Sequence, residues 1–188
     1  DQAVEWSKII DDLMKQYSSE NNNIAIDVCD PAGINALNDN YNYKITNAQK
    51  FLEIARSIKS EDEIICMKAA VKTAEKGISL MHESLQAGMT EEELWSILHK
   101  TNIENGGEWF ETRLLNSGPK TNPWFQECSN RIIQKGEIVA FDTDMVGPYG
   151  YCADISRSYV VGHKFNDEQK KLYSMATEQI DHNARLIK

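Results

Sequence analysis

The sequence has few of the features that mark a membrane, fibrous or disulfide-linked protein. Its apolar runs are too short to span a bilayer and it opens without a basic-then-apolar leader, so we expect a cytoplasmic protein with no membrane partner. Only four prolines and ten glycines occur in 188 residues, which is typical of neither a disordered chain nor a fibrous repeat. The four cysteines stand far apart and form no CxxC pair, so we predict reduced thiols rather than zinc ligands or disulfides.

Positive charge is also scarce. The sequence has 20 lysines and arginines against 29 aspartates and glutamates, which gives a formal net charge of −9. A nucleic-acid-binding protein needs a basic face that neutralises phosphates. The charge balance therefore argues against a nucleic-acid partner.

Residues 1–58 have the pattern of a partial α/β domain. A helical segment, AVEWSKIIDDLMKQY, is followed by a short strand, NIAIDV, a turn into a short helix and a second strand. Two short strands do not make a stable sheet alone. We therefore expect this segment to be the C-terminal part of a larger domain.

Residues 59–188 are predicted to form a second, truncated domain. It opens with amphipathic helices, and Thr90 with Glu93 has the spacing of a capping box. Asn166 and Gln169 can cap a last helix, which is still running where the sequence stops. We expect about half of a catalytic domain here.

An alternating stretch within this second segment predicts a β-hairpin. Residues 139–146 and 151–161 are predicted strands joined at the turn GPYG. Successive side chains point to opposite faces, so Asp142 and Asp144 share the face away from the core. The predicted core face carries Val139, Phe141, Thr143 and Met145.

Three aspartates are predicted to meet on the polar face of this hairpin. If the hairpin is symmetric about Tyr149, Asp154 lies opposite Asp144, with Asp142 one step away. Like charges on directly opposed residues, whose β-carbons are roughly 4.5 to 5.5 Å apart, are destabilising. Solvation, proton sharing or a bound cation would offset the repulsion. Because bridging carboxylates suit pairs of divalent metals, we favour a metal site at these three residues.

The segment FDTDMVGPYGYCADISRSYVVG, preceded by IIQKGEIV, resembles the first metal motif of the pita-bread metalloenzymes. These include methionine aminopeptidase, Xaa-Pro dipeptidase and creatinase. The resemblance implies an α+β fold, with a partial creatinase-type N-terminal α/β domain over residues 1–58. The first half of a pita-bread fold would follow over residues 59–188.

Two positions depart from the peptidase pattern. The peptidases place their first metal aspartate eleven residues before the second, where this sequence has Thr143 between Asp142 and Asp144. They also carry a substrate-binding histidine after a Ser-Gly-Pro loop, and here Trp124 stands near that place. Since a positioned acid typically contributes a factor of ~10² to 10⁴, amide hydrolysis would be handicapped.

Both departures, together with GGEWFETRLLNSGPKTNPWFQECSNR, resemble the dimethylsulfoniopropionate lyase branch of this fold, over roughly residues 50–165. That resemblance implies a homodimer with two divalent metal ions, iron in the first place, with manganese or zinc compatible. It implies Asp142, Asp144 and Asp154 as metal ligands. A further histidine, two glutamates and the catalytic base are expected downstream of this sequence.

The resemblance implies a small zwitterionic substrate with a carboxylate and a sulfonium group. The metals would hold the carboxylate, and aromatic faces would attract the sulfonium by cation–π interaction worth ~0.5 to 2 kcal/mol. Trp124, Phe125 and Tyr151 are the predicted substrate-binding residues, with core packing as the alternative role for such aromatics.

The leading hypothesis is thus a metal-dependent lyase that releases dimethyl sulfide and acrylate by β-elimination. One alternative is an Xaa-Pro dipeptidase or aminopeptidase of the same superfamily. Another is a non-catalytic binding module or fragment, since three carboxylates from one hairpin supply only part of a two-metal site. The 188 residues alone are expected to be inactive.

Overall fold

The computed structural model describes residues 1–18, 22–162 and 164–187, which fall into two compact units, Asp1–Ser60 and Glu61–Lys188. In the described parts of the chain, no helix is both long and apolar enough to cross a membrane. The helices are α1 (Gln2–Tyr17), α2 (Pro31–Asn40), α3 (Gln49–Ser57), α4 (Glu61–Ser84), α5 (Glu91–Glu104) and α6 (Asp167–Leu186). The strands are β1 (Asn23–Ile26), β2 (Lys44–Asn47), β3 (Trp109–Phe110), β4 (Leu115–Ser117), β5 (Ile138–Phe141), β6 (Met145–Val146), β7 (Cys152–Ala153) and β8 (Arg157–Val160).

The first unit is built around a two-stranded parallel sheet, in which β1 pairs with β2 and Ile24 lies beside Ile45. Helix α1 packs against α2, which begins at an Asp30 cap whose side chain accepts a hydrogen bond from the Gly33 amide. The predicted order of helix, strand, short helix and strand is confirmed, and α3 was not predicted. Assignment of residues 1–58 to a creatinase-like domain stays a prediction.

In the second unit, α4 and α5 pack against each other and against one face of an antiparallel sheet. The capping boxes predicted at Thr90 and Asn166 are confirmed, with Glu93 and Gln169 as their reciprocal partners. The shared core comes from both helices and the sheet. It includes Ala70, Ala74, Ile78, Met81, Leu94, Trp95, Leu98, Leu115, Val139, Phe141 and Met145.

The strands of this unit form two three-stranded antiparallel sheets, β3-β6-β7 and β4-β5-β8. Met145 pairs with Ala153 in the first sheet and Phe141 pairs with Arg157 in the second. Both pairs are symmetric about Tyr149. The predicted hairpin register is therefore confirmed. Each predicted strand is, however, split in two, because regular pairing stops at residues 142–144 and 154–156.

The segment 109–117, which pairs with the first strand of the hairpin, is likewise divided into two strands, β3 and β4. Phe110 pairs with Met145, and Leu115 pairs with Phe141. Four residues lie between Phe110 and Leu115, but only three lie between Phe141 and Met145 on the partner segment. The segment 110–115 therefore carries one extra residue. This is a β-bulge, a device that bends a strand and re-aims side chains.

Candidate metal centre

Three carboxylates lie where the regular hairpin is interrupted. Asp142 follows β5, Asp144 precedes β6 and Asp154 follows β7. Each offers one oxygen, and these three oxygens all lie within 4.8 Å of one another. Asp142 and Asp144 are half-buried, whereas Asp154 is exposed. The structure thus brings together the three residues that the sequence predicted as a cluster.

Thr143 lies between two of these aspartates but faces the core. It is fully buried, and its hydroxyl donates to the Ala153 carbonyl oxygen at 2.7 Å and accepts from the Ile155 amide at 2.9 Å. These side-chain hydrogen bonds join the two strands where regular pairing is interrupted. Thr143 therefore holds the backbone on both sides of Asp154 without contributing to the carboxylate face.

Asp144 has an unusual backbone conformation beside the β-bulge. Its φ is +38°, in the left-handed region that few residues other than glycine adopt. The Glu111 amide donates to its carbonyl oxygen at 3.1 Å, and the Thr112 hydroxyl donates to its carboxylate Oδ2. Thr112 was not predicted as a site residue, because its position opposite Asp144 depends on the bulge.

The three carboxylates lie close enough together to change the pKa of Asp154. A hydrogen bond with Asp142, burial, and the negative charges of Asp142 and Asp144 raise the pKa of Asp154 to about 6. A cation among the three oxygens would offset the same repulsion. The donor set consists of carboxylate oxygens, which hard divalent cations such as Mg²⁺, Ca²⁺ and Mn²⁺ prefer, so these residues fit a divalent metal.

The predicted substrate-binding aromatics lie in different surroundings. Trp124 is half-buried and Phe125 is 78% exposed with φ at +73°, both in the loop between a 3₁₀ turn and Cys128. Tyr151 packs against the core, and its hydroxyl donates to Glu63 Oε1 of α4 at 3.2 Å. A substrate role for each of the three stays a prediction.

The loop that carries Trp124 lies between Ser117 and Ser129, and the buried carboxylate of Glu91, which was not predicted as a site residue, holds both of its ends. Glu91, the first residue of α5, is fully buried, and its Oε1 accepts from the Ser117 amide and hydroxyl, both at 2.8 Å. Its Oε2 accepts from Lys120 Nζ at 2.8 Å and from the Ser129 amide and hydroxyl at 3.0 and 2.8 Å. The loop that carries Trp124 is thus anchored to the start of a helix.

Curated relatives share much of this sequence. The chain is 44% identical over 165 residues to dimethylsulfoniopropionate lyase DddP of Roseovarius nubinhibens, covering 85% of this chain and 37% of that protein. It is 39% identical over 183 residues to the protein of the same name from Roseobacter denitrificans, covering 94% of this chain and 40% of that protein. The chain therefore spans about two fifths of the length of these relatives.

Solved structures share the fold. An X-Pro aminopeptidase from Thermotoga maritima matches 93% of this chain and 49% of its own, with a TM-score of 0.78 and 22% identity. A prolidase from Thermococcus sibiricus matches 92% of this chain and 47% of its own, with a TM-score of 0.75 and 28% identity. The predicted α+β, pita-bread fold class is confirmed by these likenesses.

Residues 65–188 also match the description "Metallopeptidase family M24". This match covers most of the second unit, including the three carboxylates and the strands that carry them. The predicted membership of the pita-bread superfamily, and the similarity to its dimethylsulfoniopropionate lyase branch, are confirmed. The chain belongs to metallopeptidase family M24.

Proposed function

We propose that the complete protein is a metal-dependent carbon–sulfur lyase that cleaves dimethylsulfoniopropionate to dimethyl sulfide and acrylate. The two relatives that are 44% and 39% identical carry that activity in their names. The observation that carries the proposal is local. The carboxylates that meet Asp154 are those of Asp142 and Asp144, while Thr143, which stands where the peptidase pattern has its aspartate, is bonded to backbone on the core face.

We propose that Asp142, Asp144 and Asp154 hold divalent metal in a two-metal centre, with iron first and manganese or zinc as alternatives. When bound, such a metal holds the substrate carboxylate and makes the neighbouring C–H bond more acidic. The three carboxylates would hold the metal where regular strand pairing is interrupted, beside backbone that is held by the Thr143 hydroxyl and by the Glu111 amide.

The proposed reaction is a β-elimination. A base removes a proton from the carbon next to the substrate carboxylate, the electron pair forms the new C=C bond, and the C–S bond breaks with its electrons leaving on dimethyl sulfide. We assign the base to none of the described residues. For the sulfonium we propose Trp124 and Phe125, with Tyr151 as a third aromatic whose hydroxyl is bonded to Glu63.

A second candidate function is hydrolysis of Xaa-Pro peptides. It is favoured by the family description and by solved structures named as prolidases, one of them 28% identical. The carboxylate cluster alone would serve either chemistry, because both need a divalent metal. A homodimer is proposed for either enzyme on the strength of the family resemblance.

The products distinguish the two functions. The complete protein, loaded with iron or manganese, is supplied in parallel with dimethylsulfoniopropionate and with Xaa-Pro dipeptides. Dimethyl sulfide is measured by headspace gas chromatography and free proline by chromatography. We expect dimethyl sulfide from the wild type and none above background from Asp144→Ala.

The matched control is Asp181→Ala, which removes an exposed aspartate from α6 and should leave gas release unchanged. Proline release without dimethyl sulfide, from protein shown to contain metal, would replace the lyase by the peptidase. Neither product from metal-loaded protein would favour the non-catalytic alternative.

A further inference from the structure

The β-bulge opposite Asp144 brings the hydroxyl of Thr112 within hydrogen-bonding distance of the Asp144 carboxylate. We propose that Thr112 is a positioning residue of the candidate metal centre, whose hydroxyl holds the Asp144 carboxylate in the orientation needed to share a cation with Asp142 and Asp154. The inference rests on the metal site put forward under the proposed function. Thr112 itself is not proposed to contact metal or substrate.

The bulge places two residues against one. Continuing the β3–β6 pairing brings Glu111 opposite Asp144, whereas continuing the β4–β5 pairing brings Thr112 there. The two residues use different groups of Asp144: the Glu111 amide donates to its backbone carbonyl, and the Thr112 hydroxyl donates to its carboxylate. The extra residue thus supplies a side-chain donor without loss of the backbone hydrogen bond.

Asp144 needs such a donor because its backbone leaves the regular strand. At a φ of +38° the direction of its side chain is not set by the alternation that positions Val139 or Phe141. A bond from a half-buried hydroxyl on the neighbouring strand restricts the carboxylate to fewer orientations. Because the carboxylate already has few orientations in the metal-free protein, it loses less conformational entropy when a cation binds.

The chemistry of the pair also suits a metal ligand. Carboxylates that bind metals are themselves commonly hydrogen-bonded to neighbouring groups that orient them. In metal sites, the partners that orient a ligand typically change metal affinity by about 10- to 100-fold when they are removed. An effect of that size is expected for loss of the Thr112 hydroxyl.

The test compares Thr112→Val, which keeps the branched shape but lacks the hydroxyl, with Thr112→Ser, which keeps the hydroxyl. The complete protein is stripped of metal and titrated with Mn²⁺ alone, without substrate, by calorimetry and by electron paramagnetic resonance of bound Mn²⁺. We expect binding about 10- to 100-fold weaker in Thr112→Val, with Thr112→Ser close to the wild type. The melting temperature of the metal-free variants should stay close to that of the wild type.

Equal affinities in Thr112→Val and the wild type would overturn the inference and leave the proposed function standing. The same holds if both variants lose affinity together with a lower metal-free melting temperature, because that result indicates a purely structural role. A wild-type protein that binds no Mn²⁺ would overturn the metal site, and this inference with it. Absence of lyase activity alone would not affect the titration.

Discussion

Substitution of Glu91 by glutamine should loosen the loop that carries Trp124. The buried Glu91 carboxylate accepts hydrogen bonds on both oxygens, from Ser117 on one side and from Lys120 and Ser129 on the other. Glutamine has nearly the same shape, but one of its two terminal atoms is a donor. In either orientation of the amide, its NH₂ group faces a backbone N–H, that of Ser117 or that of Ser129.

The magnitude follows from what is left without an acceptor. A buried N–H deprived of its acceptor costs about 1–3 kcal/mol, and the remaining bonds lose the strengthening that a charged acceptor provides. Lys120 is 24% exposed and can turn its ammonium toward water, which limits the loss from the broken ion pair. We expect a local destabilisation of about 2–4 kcal/mol.

The effect should depend on pH in a defined direction. Burial by itself raises the pKa of Glu91, but hydrogen bonds from Lys120, Ser117 and Ser129 outweigh it, so the pKa lies below its ordinary value of 4.5. A depressed carboxylate pKa stabilises the folded state above the unfolded-state pKa, and this contribution is lost as pH falls through the folded-state pKa. The difference between wild type and Glu91→Gln should therefore be full at neutral pH and shrink below about pH 4.5.

Hydrogen exchange of the Ser117 and Ser129 amides measures this destabilisation directly. Since each 1.4 kcal/mol is a factor of ten, at least one of the two amides should exchange roughly 30- to 1,000-fold faster in Glu91→Gln. Glu92→Gln is the matched control, because it removes the same charge from the same helical turn at an exposed position. If the two variants exchange alike, Glu91 does not anchor the loop.

Two further predictions concern the interrupted hairpin. Thr143→Val should destabilise the protein by about 2–4 kcal/mol, because the Ala153 carbonyl and the Ile155 amide lose their shared hydroxyl partner. Urea denaturation of the complete protein measures this loss of stability. Metal-free protein should lose stability as pH rises through about 6, because a raised Asp154 pKa stabilises the folded state only while the carboxyl holds its proton beside Asp142. Melting temperatures between about pH 5 and pH 7 measure the second effect.

Each of these predictions has a matched control. Thr143→Ser keeps the hydroxyl and should retain most of the stability, so equal losses in the serine and valine variants would mean that packing dominates. Asp142→Asn should weaken the pH dependence around 6, because it removes the carboxylate that hydrogen-bonds and repels Asp154. Saturating Mn²⁺ should also weaken it, because the cation offsets the negative charge of the cluster. A metal-free melting temperature that rises with pH in this range would contradict the repulsion.

The sequence was enough to predict the hairpin and its acidic face because both depend on local pattern. Alternation of apolar and polar residues assigned Thr143 to the core and Asp142 and Asp144 to the other face. The register had to be assumed to be symmetric about Tyr149, and the structure has that register. The helix cap at Thr90 was readable for the same reason, since its partner Glu93 is three residues away.

The parts that could not be predicted depend on contacts between distant segments. The bulge that brings Thr112 to Asp144 arises from two strand pairings whose registers differ by one residue. The sequence of a single strand does not indicate the register of either pairing. Glu91 looks like an ordinary acidic residue in the first turn of a helix, yet its partners lie 26 to 38 residues away. The hydroxyl of Tyr151 likewise donates to Glu63, on a helix 88 residues earlier, a contact that no local pattern indicates.

An anomalous difference map from a crystal of the complete protein grown with Mn²⁺ tests directly whether the three carboxylates bind metal. We expect a peak within bonding distance, about 2.0–2.2 Å, of carboxylate oxygens of Asp142, Asp144 and Asp154. A map in which bound Mn²⁺ lies elsewhere, or in which no peak touches these three carboxylates at a pH well above 6, would contradict it.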